Sequence, residues 1–556
     1  MVPLTLVDRI ESAQSAREAG SIRFVTGDDS EVVAWGRMFE DSVAMAARLQ
    51  SRGVGPGSHV ALLGPTSRAL VTAIEATWLS GATLIVLPLP MRLASIEAFV
   101  AQTRARVASA DVDLLIIDSD LVALIVPAPD DPPTVSLDDL AGPPRGRRRS
   151  RLGRWSRPEI TPDSLAILQF TSGSTADPKG VMLPHRQICH NLDAMIGATR
   201  IDPANDVLVS WLPLYHDMGL IGLLTEAMTG ALNLVLARPQ DFLAAPARWL
   251  TWMSEFGGTL SAGPNFSYAL VTRVLRRLAP GALDLSPWRL ALNGAEPVDP
   301  STVQHFIDSA VPQGFDPRAA LAVFGMAEAT LGVTFPEPLS GIGVDVVDRR
   351  ALEHERLAVP SSGERARALA RLGRPVAGLE IRIVDPVTGA VMREREAGEL
   401  EVRGNSMTPG YYNRPEVTAA AFHDGWLRTG DLGYLVGGEL VVCGRLKDMI
   451  IVGGRNVFPE DVERAVAEVE GVRAGNVIAF GIERQPGREG LVVVAETRER
   501  DVPMLRAAVA DRVRDAVGLP PEVVFVTPGT LPKTSSGKLQ RSLCRSRYLE
   551  AELQLA

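Results

Sequence analysis

Apolar positions in the first half of the chain alternate between two spacings. In "FEDSVAMAARLQSRG", Phe39, Val43, Ala46 and Leu49 fall on one helical face, with Gly53 as a stop. "HVALLG" follows as a short continuous apolar run, the pattern of a strand buried on both faces. "SRALVTAIEATWLSGA" returns to helix and "TLIVLPLP" to strand, ending at Pro88 and Pro90. Strand, helix and short apolar strand in that order predict a mostly parallel sheet covered by helices.

The tail carries a different pattern. "PEDVERAVAEVEG" predicts a helix with Pro459 in its first turn, Glu460 and Asp461 at its positive end, and Gly471 as stop. "NVIAF", "LVVVAE" and "EVVFV" read as strands, and "MLRAAVADRVRDAVG" as a helix with Leu505, Val509 and Val513 on one face. The expected tail is a small α+β unit.

Length and composition narrow the picture. The 556 residues, 46% of them hydrophobic, suit roughly three to four folding units with a sizeable core. A net charge of -9 argues against a general nucleic-acid binder. Cys189, Cys443 and Cys544 are far apart, which disfavours a disulfide framework or zinc site and fits a reducing cytoplasm. The opening "MVPLTLVDRIESAQ" does not read as a signal peptide. No apolar run reaches the roughly eighteen residues of a membrane span. Seven arginines between Arg145 and Arg157 mark either a solvated linker or a docking surface for an acidic partner.

Candidate chemistry begins at "TSGSTADPKG", Thr171 to Gly180, directly after the apolar "LAILQF". Glycines admit backbone N–H groups to an anion, and hydroxyls add donors. Thr171, Ser172, Gly173, Ser174 and Thr175 would supply these, with the charge of Lys179. The stretch is not a Walker loop, because Pro178 precedes the lysine and Gly180 follows it. Alone it is compatible with an ordinary turn.

Further along come "SWLPLYHDMGLIG", "LNGAEPV", "FGMAEATL", "WLRTGDLGYL", "CGRLKDMIIVGGRNVFPEDVE" and "LPKTSSGKLQR". With these, nearly the whole chain resembles the adenylate-forming ligases, which include acyl-CoA synthetases, nonribosomal peptide adenylation domains and luciferases. The resemblance implies a large N-terminal domain, residues 1–445, of α/β subdomains with a β-barrel-like part. It implies a small mobile C-terminal domain, residues 446–556, turning about a hinge at Lys447. It also implies ATP and Mg²⁺. The Thr171–Gly180 loop would grip the β- and γ-phosphates. Glu328 would bind the metal. Gly294, Ala295 and Glu296 would line the adenine pocket, and Phe324, Gly325, Met326 and Ala327 would also bind the nucleotide. Asp431 would accept the ribose hydroxyls and Arg445 would lie near ribose and phosphate. Lys538 would bridge the α-phosphate and the attacking carboxylate. His216 would line the carboxylate end of the acid pocket, or else be a structural histidine. A general-base role is not expected of it, since a carboxylate is already ionised at neutral pH.

Three features bear on the substrate and the acceptor. Amino-acid activators use a pocket aspartate to pair an ammonium, but the "LYHDMGL" setting of Asp217 is that of relatives whose acids lack the amine. "GGTLSAGPNFSYALVTRVL" is small and apolar near Gly263, compatible with an alkyl tunnel or with plain core. The interval around residues 341–372 is roughly two dozen residues longer than in ordinary acyl-CoA synthetases, and long loops tend to be functional or disordered. It resembles the insertion of fatty acyl-AMP ligases, which implies transfer to the phosphopantetheine arm of an acyl carrier protein. "GPNFSY", "GRNVFPEDVE" and "VVFVTPGTLPKTSSGKLQR" are most similar to ligases of mycobactin-type siderophore assembly. The alternative is a long-chain acyl-CoA ligase. A non-enzymatic binding protein would require broken motifs, and these are intact. Phe324 departs from relatives that have tyrosine, so no hydroxyl is expected there.

Overall fold

The computed structural model describes residues 4–14, 20–89, 96–125, 128–141, 154–170, 179–363, 366–452, 455–485, 488–499, 502–533, 538–553 and 555. The stretch from 142 to 153, with most of the arginine cluster, lies outside the described residues. At the near end of that cluster, Arg157 pairs with Asp8 and Glu11 of the first helix.

The short apolar runs do form parallel sheets. One six-stranded sheet has the order Thr134–Ser136, Leu114–Ile117, His59–Leu63, Thr83–Val86, Leu165–Phe170, Gly180–Pro184. Its first five strands run parallel and the last returns antiparallel. His59–Leu63 is buried at every position, as a strand covered on both faces must be. The helix Arg68–Leu79 crosses from His59–Leu63 to Thr83–Val86. The side chain of Ser67 caps its first turn by accepting from Leu70 N at 3.2 Å.

A second sheet has seven strands, in the order Ala320–Ala322, Leu290–Asn293, Leu260–Gly263, Val207–Ser210, Asn233–Ala237, Ser21–Thr26, Asp29–Ala34. Every pair is parallel except the last. The carboxyl ends of strands in such sheets are where ligands bind. The segments beginning at His216, Gly294 and Phe324 all follow strand ends of this sheet.

The expected barrel-like part is an antiparallel five-stranded sheet built on Leu379–Val384, Gly398–Gly404, Trp426–Val436 and Glu439–Arg445, with Phe422–His423 at an edge. Beyond it, Val472–Gln485, Arg488–Thr497 and Pro521–Val526 form a three-stranded sheet packed by the helices Pro459–Ala467 and Val502–Val517. These bury their own core, including Ile450, Val462, Val477, Val509, Val513 and Phe525.

The 341–372 insertion is a hairpin rather than a loop. Gly343–Asp348 pairs antiparallel with Ala366–Arg371. Val347, Leu352 and Leu369 pack with Tyr434, Cys443 and Phe458 in one buried cluster, so alternate positions of the segment have a core to join. Arg367 is buried among them and donates to Asp461 Oδ1 at 2.8 Å and to Cys443 O at 3.0 Å. Its guanidinium lies 4.1 Å from the centre of the Phe458 ring.

Candidate active site

Thr171, Ser172, Gly173, Ser174 and Thr175 lie outside the described residues, but both ends of their loop are described. At the entry, Gln169 on the strand Leu165–Phe170 donates from Nε2 to Tyr215 O at 2.9 Å, fixing the turn that leads to His216. At the exit, the Lys179 ammonium lies 5.2 Å from the centre of the Tyr411 ring. The segment carrying Tyr411 is laced to the exit strand: Met182 N donates to Gly410 O at 3.1 Å and Tyr412 N to Gly180 O at 2.8 Å. The Tyr411 hydroxyl in turn donates to Glu328 Oε1 at 2.9 Å. Tyr411 therefore joins the exit of the phosphate-type loop to the proposed metal acid. Neither Tyr411 nor Gln169 stands out in the sequence.

Glu328 sits in the short turn Ala327–Ala329, after the strand Phe324–Gly325. Burial pushes its carboxyl above the ordinary range, while the Tyr411 hydrogen bond acts the other way. The backbone around it is constrained. A Cβ on Gly325 would lie 2.3 Å from Leu331 O, so that position needs glycine. Thr330 has φ +74° and Ala295 has φ +68°, both rare for residues with a side chain. Strain of this kind gathers at ligand sites. Glu296 Oε1 accepts from Phe266 N at 2.7 Å, which fastens the Gly294–Glu296 segment to the helix Asn265–Leu275. Phe324 is half-buried against a hydrophobic cluster with Met326, and its lost hydroxyl leaves a packing role.

Asp431 and Arg445 face each other across neighbouring strands and share a hydrogen bond of 2.8 Å, Nε to Oδ1. Burial raises the Asp431 carboxyl, and Arg445 offsets part of that rise. Lys447 follows in the turn Leu446–Asp448. Its ammonium is pushed down by burial and by Arg445, and it also feels Lys179 across the site.

Lys538 comes from the far end of the chain into this group. Burial lowers its pKa, opposed first by Asp217 and then by Glu296, with Asp431 and Arg445 also within electrostatic reach. Asp217 opens a short helix, accepting from Met218 N at 2.8 Å and lying 2.6 Å from His216 Nδ1. Burial would raise its carboxyl, but His216 and Lys538 outweigh burial and hold it below the ordinary range. The structure thus brings Lys538, His216, Asp217, Glu296, Glu328, Asp431 and Arg445 into one chain of electrostatic contacts, although they span more than three hundred residues of sequence.

The expectation at Gly263 has a different outcome. A Cβ there would lie 2.5 Å from Ser267 Oγ and 3.1 Å from the Trp249 ring. The small residue serves close packing under an aromatic wall, not an open channel at that point. A small cavity instead lies beside the His216 turn, lined by Gly64, Leu70, Val86, Pro213, Leu214 and Tyr215.

The fold is shared with known proteins. AMP-binding enzymes match residues 12–412, and the AMP-binding enzyme C-terminal domain matches residues 454–543. A putative ligase of Mycobacterium tuberculosis is 39% identical over 529 residues, covering 93% of this chain and 95% of the relative. A medium-chain-fatty-acid–[acyl-carrier-protein] ligase of Moorena producens is 37% identical over 418 residues, covering 72% and 70%. A structure from work on fatty acyl-adenylate ligases of E. coli and L. pneumophila superposes with a TM-score of 0.91 at 30% identity, covering 98% of each chain. On the match to most of its length and on these relatives, the chain belongs to the AMP-binding enzyme family.

Proposed function

We propose that this chain is a fatty acyl-AMP ligase serving an acyl carrier protein. In the first half-reaction a carboxylate oxygen of a medium- or long-chain fatty acid attacks the α-phosphorus of ATP. The bond from the α-phosphorus to the bridging oxygen breaks, and pyrophosphate leaves with that electron pair. In the second, the phosphopantetheine thiol of the carrier attacks the acyl carbon and AMP departs.

The convergence of Lys538 on Asp217, Glu296 and the Asp431–Arg445 pair carries this reading. Charge builds on the α-phosphate oxygens as the carboxylate attacks, and an ammonium already held in a buried site stabilises it without reorganisation. Asp431 would accept the ribose hydroxyls; its own N–H is held by Thr429 Oγ1 at 3.0 Å. The Gly294–Glu296 and Phe324–Ala327 segments would flank the base, and Lys179 with the Thr171–Thr175 loop would hold the leaving pyrophosphate.

Glu328 fits a Mg²⁺ ligand. It is a single half-buried carboxylate steadied by Tyr411, and among the described residues no group of three or more acids, histidines or cysteines forms a protein-only metal site. Mg²⁺ is commonly held by one or two carboxylates plus phosphate oxygens, and it would neutralise phosphate charge there.

The acceptor reading is supported by the insertion hairpin and by relatives named as fatty-acid–[acyl-carrier-protein] ligases. The finer reading, lipid loading in siderophore assembly of the mycobactin kind, draws on the short motifs around "GPNFSY" and "LPKTSSGKLQR". Incubation with ATP, Mg²⁺, coenzyme A and a panel of fatty acids, followed by mass spectrometry, tests it. Acyl-AMP without acyl-CoA, then acyl transfer to a holo carrier, is the expected result. Efficient acyl-CoA formation would establish the acyl-CoA ligase alternative.

A further inference from the structure

One half-buried charge cluster lies outside the chemistry above. Arg541 begins the helix Arg541–Leu549, three residues after Lys538. Its side chain is 17% exposed and reaches three carboxylates. Nη1 lies 2.6 Å from Asp448 Oδ2, and Nη2 lies 2.9 Å from Glu463 Oε1 and 3.4 Å from Glu460 Oε1. Nε also donates to Glu463 Oε1 at 3.3 Å. Burial alone would favour a neutral Arg541, and the three acids overcome it.

The partners come from two places. Glu460 and Glu463 stand on the helix Pro459–Ala467, inside the C-terminal unit. Asp448 closes the turn Leu446–Asp448, next to the proposed hinge residue Lys447. The path from Arg541 back to Lys538 is short and braced. Lys533 and Leu539 bridge antiparallel, Gln540 N donates to Pro532 O at 2.9 Å, and Cys544 N donates to Gln540 O at 3.0 Å. A guanidinium fork can hold two carboxylates in fixed directions, which an ammonium cannot.

We propose that Arg541 is a positioning residue for adenylation: it keys the segment Lys538–Gln540 to the hinge through Asp448. The inference rests on the reading of Lys538 as the lysine that meets the α-phosphate. If the key is lost, Lys538 drifts, and a displacement of about 1 Å costs on the order of 100-fold in rate.

The test is acyl-AMP formation by the full chain, followed by pyrophosphate release. Lys538→Ala comes first, and an unchanged rate in it refutes the lysine reading itself, independently of Arg541. Arg541→Lys and Asp448→Asn are then made alone and combined with Lys538→Ala. Arg541→Lys is expected to lower kcat about 10- to 100-fold, and Asp448→Asn about 10-fold, with KM for ATP within about 3-fold of wild type. Neither should lower the residual rate of the Lys538→Ala protein by more than about 2-fold, because residues acting as one unit are non-additive. Equal losses in both backgrounds would show a merely structural Arg541 and overturn the proposal. Asp448→Asn leaves Glu460 and Glu463 on Arg541, so it decides alone should Arg541→Lys fail to fold; a wild-type rate in it also overturns the proposal.

Discussion

Tyr411 shows how one residue ties two parts of the site together. Its ring faces the Lys179 ammonium and its hydroxyl holds Glu328. Tyr411→Phe keeps the ring and removes the hydrogen bond. A bond to a charged group is worth about 1.5–3 kcal/mol, so adenylation should fall roughly 10- to 100-fold. The loss should be partly recovered at high Mg²⁺, if steadying Glu328 is what the hydroxyl does. A titration of rate against Mg²⁺ checks this, and an unchanged rate at all concentrations would remove Tyr411 from the site. Lys538, Glu328, Asp431 and Arg445 could be proposed from the sequence because each sits in a local motif. The sequence did not reveal Tyr411 or Gln169, because their roles depend on pairings distant in the chain. Tyr411 meets Glu328 only because residues 410–412 lie along Gly180–Pro184, more than two hundred positions earlier.

Whole elements were easier to read than their contacts. The runs "HVALL", "TLIV" and "LAILQF" are strands where the pattern placed them, and the first tail helix begins at Pro459 as expected but ends at Ala467, short of Gly471. The insertion was expected as a loop, since its polar residues hide a two-residue alternation that makes sense only against Tyr434 and Phe458. That hairpin holds the tail unit through Arg367 and Asp461, and Asn456 Nδ2 also donates to Glu353 O at 3.1 Å. Removing one side of a buried pair typically costs about 3–5 kcal/mol, so Arg367→Met should loosen this junction markedly. Deleting residues 341–372 should go further and permit some acyl transfer to coenzyme A. Complete refusal by a deletion variant that remains folded would argue that the hairpin is not the barrier. The first helix depends on a second buried contact. His185 Nδ1 accepts from Leu6 N at 3.1 Å, and burial pushes the imidazole down to about 4. The folded state therefore keeps His185 neutral while the unfolded chain protonates near 6.5. Stability from this site is full above about pH 6.5 and is lost as pH falls towards 4, by roughly 3 kcal/mol. Thermal midpoints across that window should drop more steeply in wild type than in His185→Gln, and parallel curves would contradict the assignment.

At the scale of the whole molecule, two half-reactions must share one nucleotide site. In this structure Lys538 lies within electrostatic reach of Asp217, Glu296, Asp431 and Arg445, the placement the proposed adenylation step calls for. The proposed solution is rotation of the C-terminal unit about Lys447, which would withdraw Lys538 once the acyl-AMP exists. The cores support such a division, because the residues from Ile450 onward bury a cluster of their own. The contacts that rotation would break are specific ones: Arg367 with Asp461, Asn456 with Glu353, and Arg464 with Asp299 at 3.6 Å. Lys447→Pro fixes one of the two torsions that rotation needs, and proline is compatible with the tight turn Leu446–Asp448. Adenylation should stay within about 5-fold of a Lys447→Ala control, which removes the same charge near Lys179, while transfer to the carrier falls at least about 100-fold. Single-turnover measurement of each half-reaction separates the two. Equal losses in both steps, or transfer at the rate of the alanine control, would place the pivot elsewhere in the chain.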